Sequence, residues 1–241
     1  MLATRNSVLR IALCGAVLLA SVSLAWADER EDEVKRVRQS ADVLDEIMAA
    51  PDKGIPQELL DHAHCVVIVP DLKTAAFVFG AKYGKGFLSC RHHDGVGWSA
   101  PGAVRIEGGS VGFQIGGSST DLIMLVMNAR GADKLLSSKF TLGAEGSVAA
   151  GPVGRTATAQ TDAQMHADIL SWSRSQGLFV GVALEGATLR QDLDDKAAIY
   201  GKKIENREIV TQRRRMPPAA SKLIGELNKY SAREEKSGSG Q

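Results

Sequence analysis

From Phe179 to Glu185 the chain alternates two residue sets, a pattern that constrains the fold more than any other stretch. Phe179, Gly181, Ala183 and Glu185 fall on one side; Val180, Val182 and Leu184 fall on the other. Successive strand side chains point to opposite faces, so the spacing predicts a strand over Leu178 to Glu185 with one packed apolar face. The opposite face is pared down to Gly and Ala, which suits the close approach of another backbone or a ligand. Glu185 closes this strand before a turn at Gly186.

Further short apolar runs separated by glycine turns read the same way. They are Cys65 to Val69, Ala75 to Ala81, Gly86 to Arg91, Ala103 to Glu107, Val111 to Ile115 and Leu122 to Met127. Glu145 to Ala150, Arg155 to Gln160 and Ile169 to Ser173 follow. Helical spacing flanks them. Val34, Val37, Ala41, Leu44, Ile47 and Met48 recur every three or four residues within a helix over 28–50. Shorter helices are expected after Pro56, around Leu135, over Gln191 to Ile199 and over Ala220 to Ala232. The expected fold class is therefore α+β: an antiparallel, glycine-rich β-sandwich or barrel-like core between N-terminal and C-terminal helices.

Several motifs occur in a recognisable order. Lys82-Tyr83-Gly84-Lys85-Gly86-Phe87-Leu88 is followed by Trp98-Ser99-Ala100-Pro101 and Phe113-Gln114-Ile115-Gly116-Gly117. Gly151-Pro152-Val153-Gly154-Arg155, the alternating stretch ending at Gly186, and Tyr200-Gly201 complete the series. Together they resemble the SYLF domain, a lipid-binding module also found in fungal actin-patch proteins. The resemblance covers roughly residues 60 to 201. It implies anionic-lipid binding without catalysis and leaves the lipid unspecified. The acidic start Asp28 to Glu33 departs from that family's membrane-inserting helix.

The first residues read as an export signal. Arg5 and Arg10 precede an apolar run from Ile11 to Leu24, and Ala25-Trp26-Ala27 supplies a small-x-small cleavage site. Residues 1–27 are expected to be removed, leaving one domain over 28–232 and a disordered tail over 233–241. Loss of Arg5 and Arg10 leaves 27 basic residues against 28 acidic ones. That balance excludes bulk attraction to nucleic acid, which needs a strong basic field. The expected location is the periplasm or cell envelope of a bacterium, soluble or peripheral.

Cys65 and Cys90 remain after cleavage. An exported pair has a physical reason to form a disulfide, the expected state here, with buried thiols as the alternative. His62, His64, His92 and His93 gather around them without metal-ligand spacing, so no metal is expected.

Gly108-Gly109-Ser110-Val111-Gly112 fits a hydrolase pattern, but a nucleophile elbow needs a helix after the serine and the residues that follow alternate like a strand. Asp192, Asp194 and Asp195 suit a helix start. The basic residues are more suggestive. Lys82 and Lys85 flank an expected tight turn, Arg155 ends another, and Arg190 follows the alternating stretch. These four are the expected lipid-phosphate contacts. The competing expectation is a structural module that binds another envelope protein; no cofactor is implied by either.

Overall fold

The computed structural model describes residues 28–50, 54–77, 79–92, 94–111, 116–152, 167–176, 178–179, 182–212 and 214–231. The expected leader over residues 1–27, the expected tail over 233–241, Arg155, His93 and the strand expected over Arg155 to Gln160 lie outside these residues, as do positions 112–115.

An N-terminal helix, α1, runs to residue 48 and is followed by α2 (Gln57–His62). Four long strands come next: β1 (Cys65–Phe77), β2 (Phe79–Cys90), β3 (Gly102–Val111) and β4 (Gly116–Val126). Then come α3 (Ala129–Leu135), β5 (Lys139–Thr141), β6 (Val148–Ala150), β7 (Ile169–Ser175), β8 (Leu178–Phe179) and β9 (Thr188–Gln191). The chain closes with α4 (Leu193–Tyr200), α5 (Asn206–Thr211), a 3₁₀ turn and α6 (Ser221–Ser231).

All nine strands join one sheet in the order β5-β9-β3-β2-β1-β4-β7-β6, with β8 beside β7. Every pairing is antiparallel except β6 with β7. The two outermost strands, β5 and β6, are consecutive in the chain and separated only by Leu142 to Ser147. So short a link holds the two edges near each other, and the sheet curls into a half-barrel rather than a sandwich.

Both faces of the sheet are buried at one end. Val66, Ile68, Phe87, Ile123 and Trp172 face outward and pack under α1, α2 and α6, through Val37, Leu44, Leu60 and Leu223 among others. Val67, Val69, Leu88, Met124 and Val126 face the inside of the curl and meet Phe140, Leu184 and Leu189. A strand covered on both sides reads as a continuous apolar run, which is why Cys65 to Val69 lacks alternation. Lys222 bonds Asp42, and Lys229 and Tyr230 reach Asp45 at 2.9 and 2.6 Å, which fixes α6 against α1.

Three readings change with the structure. The strand expected over Ala75 to Ala81 contains the β1–β2 reversal, with Phe77 paired to Phe79. The turn expected between Lys82 and Lys85 is instead the middle of β2. Its glycines answer a bulge in β1, where Pro70 offers no N–H and Asp71 takes φ 53°. The register slips there against both neighbours. The bulge presses β1 onto β2: a Cβ at Gly84 would stand 2.8 Å from Val69 Cγ1, and one at Gly86 would collide with the Ile68 carbonyl oxygen.

The alternating stretch is the third. Only Leu178–Phe179 pairs as strand; Val182 to Leu184 have no ladder partner, and positions 177, 180 and 181 lie outside the described residues. Val182 to Leu184 form a strap that lies against the inner core ahead of β9. Leu184 is buried in the inner core and Val182 packs against it, as the apolar spacing requires. The ladder is missing because both flanking strands already belong to opposite sides of the sheet. Lys82 and Leu142 hold the strap through backbone atoms instead: Lys82 Nζ donates to the Ala183 carbonyl, and Gly186 N to Leu142 O at 2.9 Å.

Candidate functional site

Register brings together cations that the sequence scatters. Lys85 on β2 lies opposite Arg105 on β3, Arg105 opposite Arg190 on β9, and Arg190 opposite Lys139 on β5. Directly opposed residues share a face, so the four form one row across four strands, about 4.8 Å apart per step. Side-chain exposure rises along it, from 26% at Lys85 through 33% at Arg105 to 42% at Arg190. Lys139 is exposed and has no ion-pair partner among the described residues.

Like charges placed opposite one another repel, so the row needs acids to hold it. Lys85 Nζ lies 2.6 Å from Asp195 Oδ1 and 3.7 Å from Asp192 Oδ2. Arg105 reaches Asp192 at 3.5 Å and Glu107 at 2.5 Å, while Arg190 stands 3.6 Å from Glu107. Asp192 and Asp195 come from the start of α4, where Asp192 caps the helix by accepting the N–H groups of Asp194 and Asp195. This is the helix-start role expected for that acidic cluster. Burial lowers the Lys85 pKa, but the Asp195 hydrogen bond and the two carboxylate charges outweigh it and hold the ammonium above its usual value. Arg36 of α1 joins at Asp195, 3.4 Å away, tying the N-terminal helix to the row's inner end.

The four expected contacts therefore separate. Lys85 and Arg190 share the row, with Lys85 committed to the α4 carboxylates and Arg190 nearer its open end. Lys82, three residues before Lys85 on a regular strand, faces the other way, under the strap. Desolvation there lowers its pKa. Arg155 lies outside the described residues. Arg105 and Lys139 were not visible from sequence, because only the pairing of β9 and β5 aligns them with Lys85.

The remaining motifs build structure. Trp98 is buried and its Nε1 donates to Ser231 O at 3.1 Å. Ser99 Oγ accepts from Cys90 N, Ser89 Oγ donates to Ser99 O at 2.7 Å, and Tyr200 OH donates to Pro101 O at 2.7 Å. Arg91 stacks on Trp98 at 4.3 Å and donates to Leu60, Ala63 and Ser231 carbonyls at the ends of α2 and α6. A cation suits those helix C-termini. Ser110 sits in β3 and the next described element is β4, so no strand–turn–helix elbow surrounds it. Cys65 and Cys90 are register partners and are joined as a disulfide. No group of three metal-binding side chains converges among the described residues.

A curled antiparallel sheet clamped by terminal helices, with glycines serving backbone contacts and four basic residues aligned on one outer row, defines an α+β half-barrel domain. Residues 107–230 match the family described as "Ysc84: Las17-binding protein actin regulator". The chain belongs to this Ysc84/SYLF family. It is 37% identical over 178 residues to an SH3 domain-containing protein of Schizosaccharomyces pombe, covering 72% of this chain and 41% of that one. LAS seventeen-binding protein 3 of Saccharomyces cerevisiae is 35% identical over 177 residues, 72% of this chain and 38% of its own length. SH3 domain-containing YSC84-like protein 1 of Homo sapiens is 31% identical over 189 residues, 78% and 55%. The chain thus spans between 38% and 55% of the length of these relatives. One of these relatives is named for binding LAS seventeen and the other two for an SH3 domain; none of the three carries an enzyme's name.

Proposed function

We propose that this chain is a non-enzymatic domain that binds anionic phospholipid and sits peripherally on membranes of a bacterial cell envelope after export and removal of residues 1–27. One observation carries the reading: the cross-strand row whose cations become more exposed from Lys85 to Lys139. An outer sheet face bearing aligned cations suits a surface of head groups, each contact being worth about 1 kcal/mol. Arg190 and Lys139 make the contact, Arg105 supports it, and Lys85 holds the row to α4. The Cys65–Cys90 disulfide fits an oxidising compartment. No described helix is long and apolar enough to cross a membrane.

Co-sedimentation with anionic and neutral vesicles tests this. The wild type should prefer anionic vesicles, and Lys139→Ala with Arg190→Ala should weaken that binding about tenfold, more at low salt than at high. Lys82→Ala, on the other face, should bind as wild type. Equal sedimentation of all three with both vesicle types would sink the lipid reading. The reading then favoured is the protein-binding one, supported by relatives named for Las17 binding, in which the same row receives an acidic partner surface.

A further inference from the structure

Two stretches of the chain, 74–81 and 108–119, carry no Asp, Glu, Lys or Arg. Register places both at one end of the sheet: Ala75 pairs with Ala81 and with Gly117, and Ala81 with Gly109. Phe77 and Phe79 are partners at the β1–β2 reversal, and Phe79 also pairs with Val111. Bulky apolar residues therefore occupy the last pairs of the ladder. This end also projects. β9 pairs with β3 only as far as Glu107, and β7 with β4 only as far as Asp121. Past those points β1 to β4 continue as a four-stranded tongue, in which Gly108 to Val111 alone advance about 14 Å. Ala75, Ala81, Gly109 and Gly117 on it are exposed. Exposed surface that is apolar and free of charge marks an interaction site.

The base of the tongue has a different chemistry. Tyr83 is 49% exposed and pairs with Glu107, which pairs with Thr188. Thr188 lies two residues before Arg190 on β9, so Tyr83 shares the face of the cationic row. Exposed Lys139 stands in that row beside Arg190. From the tip inward the order is uncharged residues, a half-exposed aromatic ring, then cations. It matches the passage from acyl chains, through the interfacial layer where tyrosine concentrates, to anionic head groups.

We propose that this tongue is the part of the molecule that enters the membrane. Its tip dips among the upper acyl chains, Tyr83 lies at the interface, and Arg190 and Lys139 meet head groups. The inference rests on the lipid-binding reading and adds to it an orientation and a second contact that salt does not screen. Entry is shallow. A tongue is not a closed barrel, and the outer backbone groups of its edge strands need partners that the hydrocarbon centre lacks.

Fluorescence quenching by brominated lipids tests this, on the intact chain bound to vesicles of phosphatidylglycerol and phosphatidylcholine. Ala81→Trp puts an indole on the exposed tongue; Gln57→Trp puts one on α2, beside the start of β1 and away from the tip. The wild-type signal is subtracted from each. Bromines near the head-group end of the acyl chains should quench the Ala81→Trp protein more than bromines near the chain ends, and neither should quench Gln57→Trp. Phe79→Ser removes apolar surface without altering charge. With circular dichroism unchanged, it should weaken vesicle binding about tenfold, by the same factor at low and high salt. The proposal is overturned if bound Ala81→Trp is quenched no more than Gln57→Trp, or if folded Phe79→Ser binds as wild type. Either result, with the wild type still on anionic vesicles, leaves the membrane reading standing and gives the tongue to a protein partner. No binding by the wild type removes both.

Discussion

Ala103, Phe87, Ile68, Ile123 and Trp172 form one register row of the sheet, across β1–β4 and β7; Gly109, Ala81, Ala75 and Gly117 form another across the four long strands β1–β4 alone. The first row is buried under the helices, with no member more than 2% exposed. The second is exposed throughout. Backbone pairing continues through both, so the ladder alone does not distinguish them. What differs is the source of stability. At the root each large side chain adds about 1.5–3 kcal/mol by leaving water. At the tip, glycine and alanine bury little, and the strands are held mainly by backbone bonds worth about 0.5–1.5 kcal/mol each. The tip is therefore ordered by its attachment to the root.

The sharpest way to break this contrast is at Phe87. Phe87→Ala empties a fully packed position and should lower unfolding free energy by about 3–5 kcal/mol in denaturant titration. A loss below about 1 kcal/mol would mean the helices do not depend on that row. Gly86→Ala tests the seam between the two regions, since its Cβ would meet the Ile68 carbonyl oxygen. The cost should be about 1–3 kcal/mol, and tolerance of the methyl group would show that the Pro70–Asp71 bulge gives way. Ala81→Thr should matter least, within about 0.5 kcal/mol, because its side chain enters solvent on a strand. Hydrogen exchange completes the comparison: tip amides such as Ala75 and Ala81 should exchange through local opening well before those of Ile68 and Ile123. Equal protection at both rows would erase the distinction.

The root was legible because its chemistry is local. Cys65 to Val69 and Leu122 to Met127 are apolar runs, and α1 shows its buried stripe at helical spacing. The tip misled because small residues carry no periodic signal; Gly84 and Gly86 read as a turn although they serve a bulge one strand away. The strap misled for the opposite reason. Val182 and Leu184 alternate correctly and do pack inward, but alternation reports burial and says nothing of a hydrogen-bonded neighbour. The candidate site was half visible. Lys85 and Arg190 stood out as single cations, whereas Arg105 and Lys139 acquire meaning only from the register of β9 and β5, two strands of four and three residues that pattern reading passed over. Helix α5, which supplies Arg207, was missed too, having only Ile209 and Val210 as an apolar signal.

The link from β5 to β6 has a consequence for behaviour in concentrated solution. Sheets grow by templating: an unpaired edge presents N–H and C=O groups to the next chain. Here the outermost strands are three residues each, and the chain's own short connection ties one edge to the other. An incoming strand finds only a brief ladder at either side, already crowded by the loop that joins them. Half-closure thus acts as protection against edge-to-edge aggregation, achieved by connectivity rather than by a fence of charged side chains.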